Sequence, residues 1–245
     1  MKFRLIVALL LVPFPSIIKK AIYRLLFGYR FGRGVKIGLS AIVADKCVIG
    51  EQTRIGHFNI LYRTKDLRIG SRVIIGFGNR ILGGDLVEIG DRSQIFRFNE
   101  INSILDPLVL GECDPVLKVG AGSVITVNHK IDFTDRVEFG ENVVFAGRNS
   151  NIWTHNRQKS GPVTIGRNCY VGANVQFIAN TSVGEYCVIG LGSVITKRIE
   201  GDWAIVAGMP AKYVKPLDEN NKVLVTYPTR PDLEPASPGS ERISG

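Results

Sequence analysis

The sequence predicts an all-β solenoid, a stack of small coils built from short parallel strands. Three observations predict it: aliphatic anchors recur every six residues, glycine or alanine tends to follow each anchor, and departures from the period fall at one place in the cycle. Between 37 and 61 the anchors are Ile37, Val43, Ile49, Ile55 and Leu61, and the first four are followed by Gly38, Ala44, Gly50 and Gly56. The pattern is stricter near the end, with Ile165, Val171, Phe177, Val183, Ile189 and Ile195.

A period of six with one anchor fits neither a 3.6-residue helix nor simple strand alternation. It fits flat strands joined by tight corners, three to a coil. The anchor fills the interior, and the small residue four places on (Ala41, Cys47, Thr53, Asn59) also points inward. Glycine is expected at the corners because φ is positive there. Stacked coils lie about 4.8 Å apart. From 37 to 195 there are 22 such rungs, or about seven coils.

The breaks in the period are themselves regular. Anchors 61 and 69, 81 and 89, and 131 and 139 are eight residues apart, so the middle coils have 20 residues and one larger corner. Two insertions leave that same corner, one between 101 and 119 and one between 151 and 165. Neighbouring loops on one edge are where a pocket can form on an otherwise plain wall. The second insertion, NIWTHNRQKSGPVT, holds His155, one of three histidines with His57 and His129. Asp135 lies 20 residues before His155, which in a strict register puts a carboxylate beneath the imidazole. The same spacing aligns Asn59, Asn79, Asn99, His129 and Asn149 in a column of stacked polar side chains. His129 is therefore either a member of that ladder or a second base.

Residues 1–31 precede the repeat. An apolar run at 5–12 follows Lys2 and Arg4. It is too short to span a bilayer, which takes ~20 residues, and it ends at Pro13-Phe14-Pro15 without a small-residue cleavage site. Beyond it, Ile17, Ile18, Ala21, Ile22, Leu25 and Leu26 form one face of a helix, with Lys19, Lys20 and Arg24 on the other. An amphipathic basic helix suits an anionic membrane surface; packing on its own domain or on a partner is the alternative. The domain limits are thus a leader helix at 1–31, the solenoid at 32–215 and a flexible tail at 216–245, the last from its Pro- and Ser-rich end.

Composition narrows the function. The 245-residue chain is 45% hydrophobic and carries a net charge of +9. Eight of its 31 Lys and Arg lie in the first 36 residues, and no aromatic-interleaved basic stripe is present, which argues against nucleic acid. The four cysteines form no CxxC pair. Cys169 and Cys187 fall on the small inward position one coil apart and read as reduced core thiols. There is no GxGxxG or Walker loop.

The rungs, the stretch THN followed by GPVTIGRNCYVGANV, and the segment AGMPAK together resemble the hexapeptide-repeat acyltransferases. Within them the chain is similar to the sugar O-acetyltransferases of bacterial polysaccharide biosynthesis. The resemblance implies a left-handed parallel β-helix, acetyl-CoA as donor and a saccharide hydroxyl as acceptor. It implies that His155 is the general base; Asp135, from the register of the coils, and His129, as a second base or an acceptor-site residue, are the supporting candidates. It places the coenzyme on Gly172, Ala173, Gly190, Ser193, Lys197, Arg198, Gly208, Pro210 and Lys212, with backbone N–H groups near Gly172 or Ala173 at the oxyanion and Trp203 near the coenzyme. Trp153, Asn156 and Arg157, with the 102–118 loop, are the acceptor-side candidates. A homotrimer in the cytoplasm, peripheral on the membrane through residues 1–31, is the expected assembly, and no metal is expected. A non-catalytic β-helix scaffold is one alternative. A zinc enzyme resembling γ-class carbonic anhydrases is another, although its close histidine pair has no counterpart here.

Overall fold

The computed structural model describes residues 2–104 and 113–226. Its parallel strands wind into a β-helix with three walls. Wall one stacks Ile37, Ile55, Ile75, Ile95, Ile125, Phe145, Val171, Ile189 and Val206 in register. Wall two stacks Ile42, Leu61, Ile81, Ile101, Ile131, Ile152, Phe177 and Ile195. Wall three stacks Phe31, Ile49, Ile69, Ile89, Val119, Phe139, Ile165 and Val183. These anchors form one continuous buried core. The nine anchors of wall one define about eight coils, one more than the sequence count, because Val206 adds a rung beyond 195.

Two details differ from the sequence expectation. In the first coil Ile42, rather than Val43, pairs with Leu61, since the strand Ala41–Ile49 runs on through a corner without a break. The glycines that follow the wall-three anchors are required by close approach, not by φ. A Cβ on Gly50 would lie 2.5 Å from the backbone carbon of Gly70 in the next coil. The left-handed residue of each of these corners comes two places later and is mostly polar: Gln52, Arg72, Arg92, Asn142 and Asn168.

The corner between walls one and two carries the polar ladder. The Asn79 amide donates to Asn59 Oδ1 and the Asn99 amide to Asn79 Oδ1, both at 3.0 Å. The His129 backbone N–H donates to Asn99 Oδ1 at 2.9 Å. The next member is Ser150, not Asn149: its N–H donates to His129 Nδ1 at 3.1 Å. A bulge causes the slip. Ile125 pairs with Phe145, but Val127 pairs with Arg148, so one extra residue enters the corner. The spacing is therefore 20 residues on wall one and 21 on wall two, where Ile131 pairs with Ile152.

The leader forms two helices, α1 (Lys2–Leu11) and α2 (Ser16–Phe27), broken at the two prolines. α2 ends at Gly28, whose φ of 69° gives the left-handed cap that donates to Arg24 O. The buried face of α2 is Lys19, Tyr23 and Phe27, spaced i, i+4, i+8. Tyr23, Phe27, Tyr29 and Phe31 pack as an aromatic cluster over the first coil. At the other end, Leu217 and, from α3 (Glu219–Thr226), Val225 pack beside Val188. The start of the expected flexible tail is thus helical, and the rest of it, 227–245, lies outside the described residues. Cys47, Cys169 and Cys187 are buried free thiols, and the Cys187 N–H points at Cys169 Sγ from 3.4 Å, as their stacking required.

Candidate functional site

Both insertions leave the corner between walls two and three. The first is described only at its ends, since 105–112 of the 102–118 loop lie outside the described residues. The second closes as a hairpin. His155 and Ser160 bridge antiparallel, the Gly161 N–H donates to Thr154 O, and the Asn156 N–H donates to Lys159 O. Asn156 shapes the tip: its Oδ1 accepts from the backbone N–H groups of Gln158 and Lys159. Glycine at 161 is needed here, because a Cβ would fall 2.1 Å from the Asn180 side chain of the next coil.

The hairpin holds His155 over a buried carboxylate. Nδ1 of His155 lies 2.6 Å from Asp132 Oδ2, with the imidazole partly exposed and Asp132 almost wholly buried. Asp132 receives four further hydrogen bonds. Thr134 gives its N–H and hydroxyl to Oδ1, and Thr154 gives its N–H and hydroxyl to Oδ2. Each hydroxyl is itself an acceptor, from Ile104 N–H and Asp135 N–H respectively, which leaves its proton for the carboxylate. Because an ionised carboxylate only accepts, the proton on this side of the ring sits on Nδ1 and the lone pair sits on Nε2. Beside the ring is an open cleft of about 280 Å³, lined by Trp153, His155, Asn156, Lys159, Ile178 and Ala179. Lys130 lies 5.0 Å over the Trp153 ring on the same wall.

The partner of His155 is therefore Asp132, not Asp135. Among the described residues the Asp135 carboxylate accepts only from the next N–H, that of Arg136. The one-residue bulge breaks the 20-residue register on which the Asp135 expectation rests, and Asp132 reaches across the inside of the corner. His129 is not brought to His155 either. It is 1% exposed, in the ladder of a different corner, with Nδ1 receiving the Ser150 N–H and Nε2 2.9 Å from the Thr126 hydroxyl. Burial pushes its imidazole down to about 4. His57 stands at the same corner several coils earlier and accepts from the Leu39 N–H at 3.2 Å. The three histidines are thus dispersed.

The residues expected around the coenzyme divide between the two edges of wall two. Lys197 and Arg198 follow the last wall-two strand and lie on the His155 edge, two coils beyond the hairpin; Arg198 pairs with Glu200 at 3.0 Å. Gly172, Ala173 and Gly190 lie on the opposite edge. Gly208, Pro210 and Lys212 lie there too, in the hairpin joining Ala204–Gly208 to Ala211–Pro216. Ser193 is turned inward, its hydroxyl donating to Gly190 O at 2.7 Å, so it presents no group to a ligand. The Gly172 N–H is likewise engaged, with Ile189 O at 2.9 Å, which removes it as an oxyanion donor. Trp203 stacks on Tyr186 with ring centres 4.1 Å apart, at the corner between walls three and one, away from both sets. Arg157 is exposed at the hairpin tip. Sequence reasoning missed Asp132, Thr134, Thr154, Lys130 and Lys159. The one available signal was that Asp132 directly follows the anchor Ile131.

Residues 162–197 match the family described as bacterial transferase hexapeptide (six repeats). That stretch of the chain carries the family's hexapeptide repeat. The matched segment begins within the His155 hairpin's exit and runs through the strict final coils. The chain is 29% identical over 204 residues to the bifunctional protein GlmU of Synechococcus sp. (strain CC9605), covering 77% of the chain and 40% of that relative. It is 27% identical over 131 residues to the galactoside O-acetyltransferase of Escherichia coli (strain K12), covering 49% of the chain and 64% of that relative. The chain therefore spans only about 40% to 64% of the length of these curated relatives. Among solved structures, the UDP-N-acetylglucosamine acyltransferase from Campylobacter jejuni superposes with a TM-score of 0.58 at 20% identity, over 80% of this chain and 76% of that one. The last likeness establishes the β-helix.

Proposed function

We propose that this protein is an acyltransferase that moves an acetyl group from acetyl-CoA to a saccharide hydroxyl, with His155 as general base. The observation that carries the reading is the His155–Asp132 pair, held on a protruding hairpin at the mouth of an open cleft. The similarity to relatives named as acetyltransferases supports the class.

In this mechanism the acceptor O–H donates to His155 Nε2 while its oxygen attacks the thioester carbonyl. The C–O bond forms as the proton passes to the imidazole, and Asp132 balances the imidazolium through Nδ1. Collapse of the tetrahedral intermediate breaks the C–S bond, and His155 returns its proton to the leaving thiolate. The thioester is already activated, so no covalent enzyme intermediate is needed. Trp153 offers a flat apolar face to a sugar ring, beside Lys130 and Lys159.

The division of the site supports a homotrimer. A three-fold ring is a head-to-tail assembly, in which one edge of each chain meets the other edge of its neighbour. That would bring the His155 edge of one solenoid against the Ala173 and Gly208 edge of the next, with Lys197 and Arg198 at the coenzyme phosphates. A saccharide carried on a lipid is the acceptor that a surface-bound form of the enzyme would meet.

The test is transfer of label from acetyl-CoA to a panel of saccharides. Wild type is expected to label one of them and His155→Ala not to. Undiminished labelling by His155→Ala would falsify the assignment.

A further inference from the structure

The leader has two faces, and only one is explained by the solenoid. Its cations turn inward. Lys19 donates to Gly38 O, Lys20 to Val35 O, Arg24 to Phe31 O and Arg4 to Ala44 O, so these four cap carbonyls of the first coil. Burial lowers the Lys19 ammonium from its usual range. The sequence expectation that Lys19, Lys20 and Arg24 form the outer, headgroup-facing side is thereby corrected.

What faces outward is apolar. Phe3, Leu10 and Phe14 of the first segment are 64%, 67% and 46% exposed, and Ile17 and Leu25 of α2 are 75% and 83% exposed. They stand on both helices and, at Phe14, on the turn between them, with Ile6, Ile18 and Leu26 exposed as well, so the outer side of the leader is an apolar plate and not a scatter of single residues. A pair of helices whose only task was to close the coil would carry these residues inside and its lysines outside. No helix among the described residues is long and apolar enough to cross a membrane. The charge around the plate is predominantly positive, with Asp45 beside Arg4 and Glu51 beside Arg33 as the acidic neighbours. Residues 1–44 contain eight Lys and Arg and no Asp or Glu, and of the cations Lys2, Arg24, Arg30, Arg33 and Lys36 remain exposed, Arg24 while it caps the Phe31 carbonyl.

From the outward apolar plate and its predominantly cationic surround, we propose that α1 and α2 seat this protein on an anionic lipid bilayer. The plate enters the acyl boundary while Lys2, Arg30, Arg33 and Lys36 meet the headgroups. A plate of this kind binds in proportion to apolar area plus attraction to anionic lipid, and the cations add a salt-sensitive share. A second copy of the chain is disfavoured as occupant, because two such surfaces would bring cation against cation. The inference does not rest on acyl transfer, and its test reads binding alone.

The test is vesicle flotation of the full chain, with 30% phosphatidylglycerol in phosphatidylcholine against phosphatidylcholine alone. Wild type is expected to float with the anionic vesicles, several-fold less with the neutral ones, and less again in high salt. Leu10→Glu/Leu25→Glu is expected to float about tenfold less or weaker still. Both positions are exposed, so an unchanged melting temperature and unchanged saccharide labelling should accompany the loss. Equal flotation of the double variant would overturn the proposal, as would failure of wild type to float. So would a wild-type oligomer that dissociates in the variant, since that would make the plate a contact between copies.

Discussion

The two corners that flank wall two each hold a histidine, and the histidines have opposite fates. At the first corner His129 continues a column of asparagines. Its ring is buried, both nitrogens have partners, and burial holds it neutral, down to about 4. At the second corner an insertion lifts His155 out of the stack. Among the described residues only Nδ1 has a partner, and the ring lines the cleft. The residue type is the same; the difference is whether the coil leaves the nitrogen an outlet. In a solenoid, where the repeat satisfies its own polar groups, chemistry is confined to the places where the repeat is interrupted.

The largest expected effect breaks the pair at the open corner. His155→Ala should lower kcat by about 10²–10⁴ with melting unchanged, the usual worth of a positioned base. Asp132→Asn should lower kcat by about 10² with KM little changed, because an amide hydrogen facing Nδ1 favours the tautomer that carries its proton on Nε2. A parallel melt separates this from lost stability, since Asp132 accepts five hydrogen bonds.

The closed corner should respond in stability and not in rate. His129→Asn extends the asparagine ladder, so labelling should persist. The folded pKa of His129 is depressed relative to roughly 6.5 in the unfolded chain. The unfolded state then takes up a proton that the folded state does not, and wild type loses stability as pH falls from about 6.5 to about 4, without regaining it below. A shift of this size is worth about 3 kcal/mol. Urea titrations at pH 7 and pH 4.5 should show that slope in wild type and lose it in His129→Asn. An identical slope in both proteins would mean that the ladder histidine is not the titrating group.

Two smaller effects sharpen the contrast between edges. His155→Ala and Ala173→Glu are each expected to be inactive, yet co-expressed chains should recover roughly a quarter of wild-type activity if subunits mix at random in a three-fold ring. No recovery would confine the site to one chain. Trp153→Ala should raise the saccharide KM about two- to tenfold with kcat nearly intact, the range for losing one aromatic contact; a kcat effect would move Trp153 nearer the reacting atoms.

The hexad anchors alone determined the coil, the three walls and the edge from which both insertions leave. They could do so because an inward aliphatic residue every six positions has no other consistent packing. The asparagine ladder was legible for the same reason, and so was His155 as the histidine outside the stack. The partner of that histidine was not. One extra residue between Ile125 and Ser150 shifts wall two from a 20- to a 21-residue step, which exchanges Asn149 for Ser150 and takes Asp135 out of register with His155; Asp132, which meets the ring, lies 23 residues before it and on no simple repeat of the coil. A bulge leaves no mark in the anchor pattern, because only the backbone pairing registers it. The leader follows the same rule. Its sequence specified an amphipathic helix, but only the tertiary structure decided that the carbonyls of the first coil take the lysines and leave the apolar side facing out. Those carbonyls have no preceding coil to pair with, so the nearest cations satisfy them.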